Sequence, residues 1–300
     1  MSDTVAFFGT GIMGTPMCGH LLSAGYSVNV WNRTADKAAS LVAQGATLCA
    51  VPNEAVVGAK FLVIMLSTGP VIDQVLFEPD RSGDTVAKRL DSGATVIVMS
   101  SIPVETSRAQ ATSLAERSVN YVDAPVSGGE KGAQEASLTI MAGGDDESFA
   151  AVRAILTVMG RATHVGPVGC GQLAKLANQT IVGITINAVA EALLLVEAGG
   201  GDVAAVHKAL RGGFADSTIL RQHGERMITG NFEPGAKSEV QLKDLNTSRR
   251  LAESLGLNLP ALRLTESLYQ AMCDAGREAL DHSGLFAFLR DNIKKDRNRQ

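Results

Sequence analysis

Cysteine is scarce in this chain, and the four present, Cys18, Cys49, Cys170 and Cys273, form no C-x-x-C pair and no metal-ligand spacing. That argues against a disulfide scaffold and a thiolate metal centre, and leaves buried, reduced thiols in a cytoplasmic protein as the expectation. An excess of positive charge is lacking too. At a net charge of -4 nothing draws the whole chain to nucleic acid or an anionic membrane, so any anionic ligand must be held by local donors. The basic residues Lys294, Lys295, Arg297 and Arg299 read as a solvated tail. No basic region or long apolar stretch precedes the first strand at Met1-Ser2-Asp3-Thr4, so no signal peptide is expected. A membrane span is not expected either, because Asn178, Gln179, Asn187 and Glu191 interrupt the most apolar long segment, Leu176 to Val196. Internal repeats and low-complexity segments are absent.

What remains is an ordinary globular composition, 45% hydrophobic and 19% charged over 300 residues, enough for one large or two ordinary domains. To about residue 165, short β-branched runs alternate with helical stretches. Strands are expected at Val5 to Phe8, Val28 to Trp31, Phe61 to Met65, Thr95 to Met99, Tyr121 to Asp123, Leu138 to Met141 and Ala162 to Val165. Helices are expected at Ala35 to Ala43, Val71 to Phe77, Val104 to Arg117 and Glu147 to Val158. That alternation predicts a mostly parallel sheet covered on both faces. Beyond Gly171 strand-like runs almost vanish: Gln172 to Ala198 reads as one long helix, followed by helical segments near 203–211, 216–228, 238–255, 260–277 and 285–294. The fold class is therefore α/β, an amino-terminal Rossmann-type, doubly wound sheet (1–167) joined by a long helix to an all-helical carboxy-terminal domain (168–300).

The first strand runs into Gly9-Thr10-Gly11-Ile12-Met13-Gly14 and then the apolar-spaced Met17, Leu21 and Leu22, a strand-turn-helix context that predicts dinucleotide binding. The first glycine permits the turn, the second lets a pyrophosphate reach the backbone, and the third lets helix pack on strand. Unpaired N–H groups at the helix start then meet the phosphates. The second strand ends in Asn32-Arg33-Thr34, without the carboxylate that would hold a ribose 2′-hydroxyl. Arg33 offers a planar fork of donors suited to a 2′-phosphate, and Asn32 and Thr34 add neutral donors. NADP (NADPH) is expected over NAD, the competing reading being that Arg33 merely opens the next helix as a solvated charge.

Two further constellations carry chemistry. Asp123-Ala124-Pro125-Val126-Ser127-Gly128-Gly129 is a strand end entering a sharp polar turn, where Ser127 brings a hydroxyl and the glycines backbone N–H groups to a carboxylate or oxyanion. Read alone, it serves equally as an ordinary loop. Gly171, Lys175 and Asn178 share one face of the long helix. A lysine there, a cation at neutral pH with its unperturbed pKa near about 10.4, can protonate a carbonyl oxygen as hydride arrives while Asn178 orients lysine or substrate. The plainer alternative is a solvated charge. Lys243-Asp244 points to different helix faces, need not be an ion pair, and reads as surface.

Together with Met99-Ser100-Ser101-Ile102, Lys243-Asp244-Leu245 and Asp281-His282-Ser283, these motifs resemble the β-hydroxyacid dehydrogenase family over essentially the whole chain. The resemblance implies Lys175 as catalytic acid or base, Asn178 ordering the site, and Ser127, Gly128, Gly129 and Gln179 holding a small carboxylate substrate. It also implies cofactor contacts from Met65, Leu66, Ser101 and Lys243. The activity it implies is NADPH-dependent reduction of a short aldehyde or keto acid, tartronate semialdehyde to glycerate foremost. Val122 to Glu130, Lys175 to Gln179 and Arg211 to Thr218 are most similar to the branch with that activity, although the branch commonly carries an acidic residue at the place of Asn32. Ser67 stands where many members have proline, and Ser101 replaces a common threonine. Sibling reactions on glyoxylate, succinic semialdehyde, 3-hydroxyisobutyrate or serine stay open, with Phe214 and Lys243 as pocket candidates. So does a non-catalytic NADPH-sensing module. Imine reductases share the fold but usually lack the helix lysine. A homodimer or homotetramer is implied, and no nucleic-acid or membrane partner.

Overall fold

A computed structural model describes residues 3–81 and 83–297; Met1-Ser2 and Arg299 of the basic tail lie outside the described residues. The chain divides into two compact units, Met1–Lys175 and Leu176–Gln300.

The first unit is built on nine strands: β1 (Thr4–Phe8), β2 (Ser27–Trp31), β3 (Thr47–Leu48), β4 (Phe61–Ile64), β5 (Thr95–Val98), β6 (Asn120–Asp123), β7 (Val126–Ser127), β8 (Leu138–Gly143) and β9 (Gly160–Gly166). They form one sheet in the order β3-β2-β1-β4-β5-β6-β8-β7, with β9 beside β8. The first six are mutually parallel, whereas β8 runs antiparallel to β6 and β7. The sheet is therefore mostly parallel, as its β-branched runs predict. Because β1 lies between β2 and β4, the chain reverses its direction of winding there, and ligands of such sheets bind beyond the strand ends at that switch point.

Burial on both faces explains the apolar runs. Val5, Phe7, Val63 and Ile97 enter one core layer, while their neighbours Ala6, Phe8, Leu62, Ile64, Val96 and Val98 enter the other. Eight helices lie within this unit among the described residues: α1 (Gly14–Ser23), α2 (Ala39–Val42), α3 (Pro52–Ala55), α4 (Gly69–Phe77), α5 (Val86–Arg89), α6 (Val104–Ala115), α7 (Gly129–Gln134) and α8 (Asp146–Thr157). Thr68, Thr85 and Asp145 accept backbone N–H bonds at the starts of α4, α5 and α8. The sequence reading missed β3, β7, α3, α5 and α7, all six residues or shorter and without a full period of pattern. The helix expected over 35–43 opens instead as a 3₁₀ turn, Ala35–Ala38, before α2.

Helix α9 (Cys170–Ala198) carries the chain from the first unit into the second, which adds α10 (Val203–Leu210), α11 (Thr218–Thr229), α12 (Ser238–Ser254), α13 (Pro260–Met272) and α14 (Leu285–Arg297). The helix expected over 260–277 ends sooner. After Met272 a π turn, Cys273–Arg277, contains Gly276 at φ +76°, a conformation no α-helix continues through. Two apolar clusters form this unit's core, one around Ile186, Ala190 and Leu193 of α9, the other around Leu245, Tyr269 and Leu285.

Candidate active site

The glycine turn lies at the carboxyl end of β1, and each glycine has its own steric reason. Gly9 sits at φ +98° with its N–H on the Trp31 carbonyl, and a Cβ there would meet the Met65 carbonyl oxygen at 2.2 Å. At Gly14 a Cβ would lie 1.9 Å from the Gly9 carbonyl oxygen, so α1 packs directly on the turn; around Gly11 nothing stands within 4 Å. Helix α1 starts without the side-chain cap that α4, α5 and α8 have, and no acidic residue stands in its first turn. Its exposed partial positive charge therefore suits an anion. Thr10 Oγ1 is buried with no hydrogen-bond partner among the described residues. An open cradle, an uncapped helix start and an orphaned hydroxyl fit a dinucleotide pyrophosphate.

Asn32 ties this turn to β2: its Oδ1 accepts from Thr10 N at 3.0 Å and its Nδ2 donates to the Thr34 carbonyl at 2.7 Å. Arg33 and Thr34 are exposed. Arg33 borders a cavity of about 530 Å³ shared with Trp31, Leu48, Cys49 and Val51, and has no carboxylate partner among the described residues. Beyond β4, Met65 N–H donates to the Phe8 carbonyl (2.8 Å) and Leu66 N–H to Ser100 Oγ (2.9 Å), which draws the loop after β4 onto both neighbouring strand ends.

The stretch read as a strand end entering a sharp polar turn at 123–129 carries more regular structure than a turn or an ordinary loop. Val126 and Ser127 form β7, paired with Ile140 and Thr139, and Gly129 opens α7. Ser127 is half-buried, while Gly128 and Gly129 are exposed. Gly128, at φ +139°, makes the corner.

Two residues to which the sequence reading assigned no role hold the start of α9. Asp123 is wholly buried at the end of β6, and its carboxylate accepts from Gly169 N (2.8 Å) and Gln172 N (2.7 Å). Burial pushes its carboxyl up to about 6, against those two donors. A Cβ at Gly171 would lie 2.4 Å from the Asp123 carbonyl oxygen, so this helix turn reaches the strand only as glycine. Gln172, also wholly buried, donates from Nε2 to the Ser100 carbonyl (2.9 Å) and accepts at Oε1 from Ile102 N (3.0 Å), bracketing the half-buried Ser101. Lys175, 9% exposed, follows one turn later. The available signal was a carboxylate closing an apolar strand and a glutamine among small residues at a helix start.

In the second unit, Asn178 Nδ2 donates to Gln179 Oε1 (2.9 Å), and Gln179 Nε2 donates to Gln241 Oε1 (3.2 Å) and Asp244 Oδ2 (2.9 Å). Gln241 Nε2 returns a bond to the Gln179 carbonyl at 3.0 Å. The surface reading of Lys243-Asp244 is corrected here. Asp244 is buried and pairs with Lys243 Nζ at 3.2 Å, because Gln241, Asp244, Leu245 and Ser248 form the α12 stripe turned inward. Phe214 is fully exposed. The expected burial of the thiols also needs correction: all four are free, but Cys18 alone is buried, its thiol pushed up to about 12, and the others are half-buried. No group of three or more metal-ligating side chains occurs among the described residues.

Comparison with known proteins agrees with this arrangement. Residues 4–169 match the family described as the NAD binding domain of 6-phosphogluconate dehydrogenase, and residues 169–289 the family described as NAD-binding of NADP-dependent 3-hydroxyisobutyrate dehydrogenase. The chain is 41% identical over 287 residues to 2-hydroxy-3-oxopropionate reductase of Escherichia coli (strain K12), covering 95% of this chain and 96% of that protein. It superposes on Mycobacterium tuberculosis 3-hydroxyisobutyrate dehydrogenase with L-serine at a TM-score of 0.88 and 28% identity, covering 97% of this chain and 100% of that one. A third likeness, at a TM-score of 0.85 and 25% identity over 95% of this chain and 99% of the other, is to Psf3 in complex with NADP+ and 2-OPP. A glycine turn built for a dinucleotide, a lysine-bearing helix docked on the strand ends, and matches spanning both units lead to one conclusion: the chain belongs to the 3-hydroxyisobutyrate dehydrogenase-like β-hydroxyacid dehydrogenases, NAD(P)-dependent oxidoreductases acting on CH–OH groups.

Proposed function

We propose that this protein reduces a small aldehyde or keto acid with NADPH, tartronate semialdehyde to glycerate being the first reaction to test. The observation that carries the reading is the buried lysine one turn into α9, on a helix start held by Asp123 and Gln172. The 41% identity to a 2-hydroxy-3-oxopropionate reductase supports the choice of substrate.

In this reading Gly9, Thr10, Gly11, Ile12, Met13 and Gly14 hold the pyrophosphate, Asn32, Arg33 and Thr34 the adenosine ribose and its 2′-phosphate, and Met65, Leu66, Ser101 and Lys243 the remainder of the cofactor. When bound, NADPH supplies the hydride. Ser127, Gly128 and Gly129 anchor the substrate carboxylate through a hydroxyl and backbone N–H groups, with Gln179 beside it. Lys175 donates the proton from Nζ to the carbonyl oxygen as negative charge develops there, and Asn178 orders the site. Residues 1–167 form the NADP-binding domain and 168–300 the substrate and oligomerisation domain.

Consumption of NADPH with a panel of tartronate semialdehyde, glyoxylate and succinic semialdehyde tests the reaction. Lys175→Met should bind NADPH as before and lose turnover by about 10²–10⁴-fold, the usual worth of a positioned acid; near-normal turnover would remove the acid role. The superposition with an L-serine-bound dehydrogenase supports oxidation of a hydroxy acid as the second reading, separable in the same assay run with NADP+ and L-serine.

Helix α9 is long and apolar enough to cross a membrane, with a mean hydropathy of 1.8 in its best window, of which 39% is buried. Its polar side chains Gln172, Gln179 and Asn187 are hydrogen-bonded within the protein, which supports a core and interface helix instead. Its exposed apolar residues support assembly as a homodimer or homotetramer. Four free thiols accord with a cytoplasmic location.

A further inference from the structure

The proton-transfer scheme leaves Gln172 without a task, although few side chains in the first unit are so fully committed. It has no exposure, and both ends of its amide are used, the N–H on the Ser100 carbonyl and the oxygen on Ile102 N–H. Its own backbone N–H goes to the Asp123 carboxylate. Ser100 in turn holds Leu66 N–H through its hydroxyl. The loop after β4, the loop after β5 and the first turn of α9 are thereby one hydrogen-bonded piece. Lys175 stands three residues further along α9, on the neighbouring part of the same helix face.

A group that met only the carbonyl or only the N–H would leave a buried polar partner unpaired, at a cost greater than the bond's own worth. Glutamine has the length and the donor-acceptor pair to meet both. We propose that Gln172 is a positioning residue: its buried amide ties the Ser100–Ile102 loop to the turn of α9 that carries Lys175, so that the cofactor contact and the proton donor keep one fixed spacing. The proposal rests on the assignment of Ser101 as a cofactor contact and Lys175 as the proton donor. A residue that merely fills space would be replaceable by any side chain of equal volume.

Gln172→Glu tests this with an isosteric change. A protonated carboxyl reproduces both bonds, whereas a carboxylate has no donor for the Ser100 carbonyl and sets a buried negative charge against that oxygen. At a pH of about 5.5 the variant should bind NADPH and turn over the best substrate of the panel within about threefold of the parent. As pH rises to about 8.5, its kcat should fall at least tenfold against the parent, and its Kd for NADPH should rise at least threefold, with the circular dichroism melt still cooperative. Gln172→Met, which keeps the volume and neither bond, should be impaired at every pH. Profiles of both variants that follow the parent throughout would overturn the proposal.

Amide hydrogen exchange on the unaltered protein decides the matter where a variant fails to fold. NADPH should slow exchange by similar factors in segments 99–104 and 170–176; slowing confined to the first would refute the coupling. Lys175→Met separates the two levels. Retained turnover in that variant defeats the proton-donor assignment, while unchanged NADPH affinity in both Gln172 variants together with unlinked exchange of the two segments defeats only the positioning role.

Discussion

Arg33 is a charge without a partner carboxylate among the described residues, set beside a cavity at the end of β2. An exposed guanidinium loses little by waiting in water and gains one charge-assisted, two-pronged contact when a phosphate arrives. Arg33→Ala should therefore raise Kd for NADPH about 10- to 100-fold, the worth of a charged hydrogen bond of about 1.5–3 kcal/mol. Affinity for NADH should scarcely change. Titration of both cofactors by nicotinamide fluorescence checks this, and equal losses for the two would remove the 2′-phosphate assignment. Asn32 works differently, because its amide is already spent on Thr10 and Thr34, so that it shapes the turn.

Helix α9 differs in its surroundings along its length. At its start, the wholly buried Asp123 and Gln172 and the close approach of Gly171 fix it to the ends of β5 and β6. Along its length, Leu173, Ile181 and Leu195 remain 44%, 66% and 75% exposed, and their spacing places them on one side of the helix. A stripe of that kind on a helix so apolar suits a second copy of the chain. Ile181→Glu should shift the mass found by multi-angle light scattering toward a monomer, since an unpaired carboxylate in an apolar interface is costly. A monomeric parent protein would sink the assembly itself.

At the scale of the whole molecule, two buried groups, one in each unit, shift in opposite directions. Asp123, in the first unit, is raised from 3.8 to about 6 by burial, so the folded state holds a proton that the unfolded chain gives up. The stability this contributes is full below about 4 and is lost as pH rises through about 6. His282, in the second unit, is lowered by burial from 6.5 to about 4, and the unfolded chain there binds the extra proton. Its contribution is present above 6.5 and is lost as pH falls through about 4. Each is worth about 3 kcal/mol at 1.36 kcal/mol per pKa unit. Between a pH of about 4.5 and about 6, urea midpoints followed by the fluorescence of Trp31, the one tryptophan and part of β2, should fall. Midpoints read from amide hydrogen exchange in segment 285–294, beside His282, should rise, and a common rise in both would contradict the Asp123 assignment.

The sequence by itself determined the glycine turn, the parallel strands, the long helix and the family, because these rest on local periodicity and on backbone demands that few residues satisfy. Phe7 and Phe8 read as strand from their neighbours alone, and Gly9 to Gly14 as a turn from spacing alone. It could not show that Asp123 and the Ser100–Ile102 loop meet the start of α9, since those partners lie 46 to 72 residues apart in the chain. The short elements β3, β7, α3, α5 and α7 were invisible for want of a full period. The pairing of Lys243 with a buried Asp244 was missed because helix spacing predicts direction from the axis and says nothing of what packs outside it. These features emerge on folding, because burial and hydrogen-bond satisfaction are properties of residues brought together from distant parts of the chain.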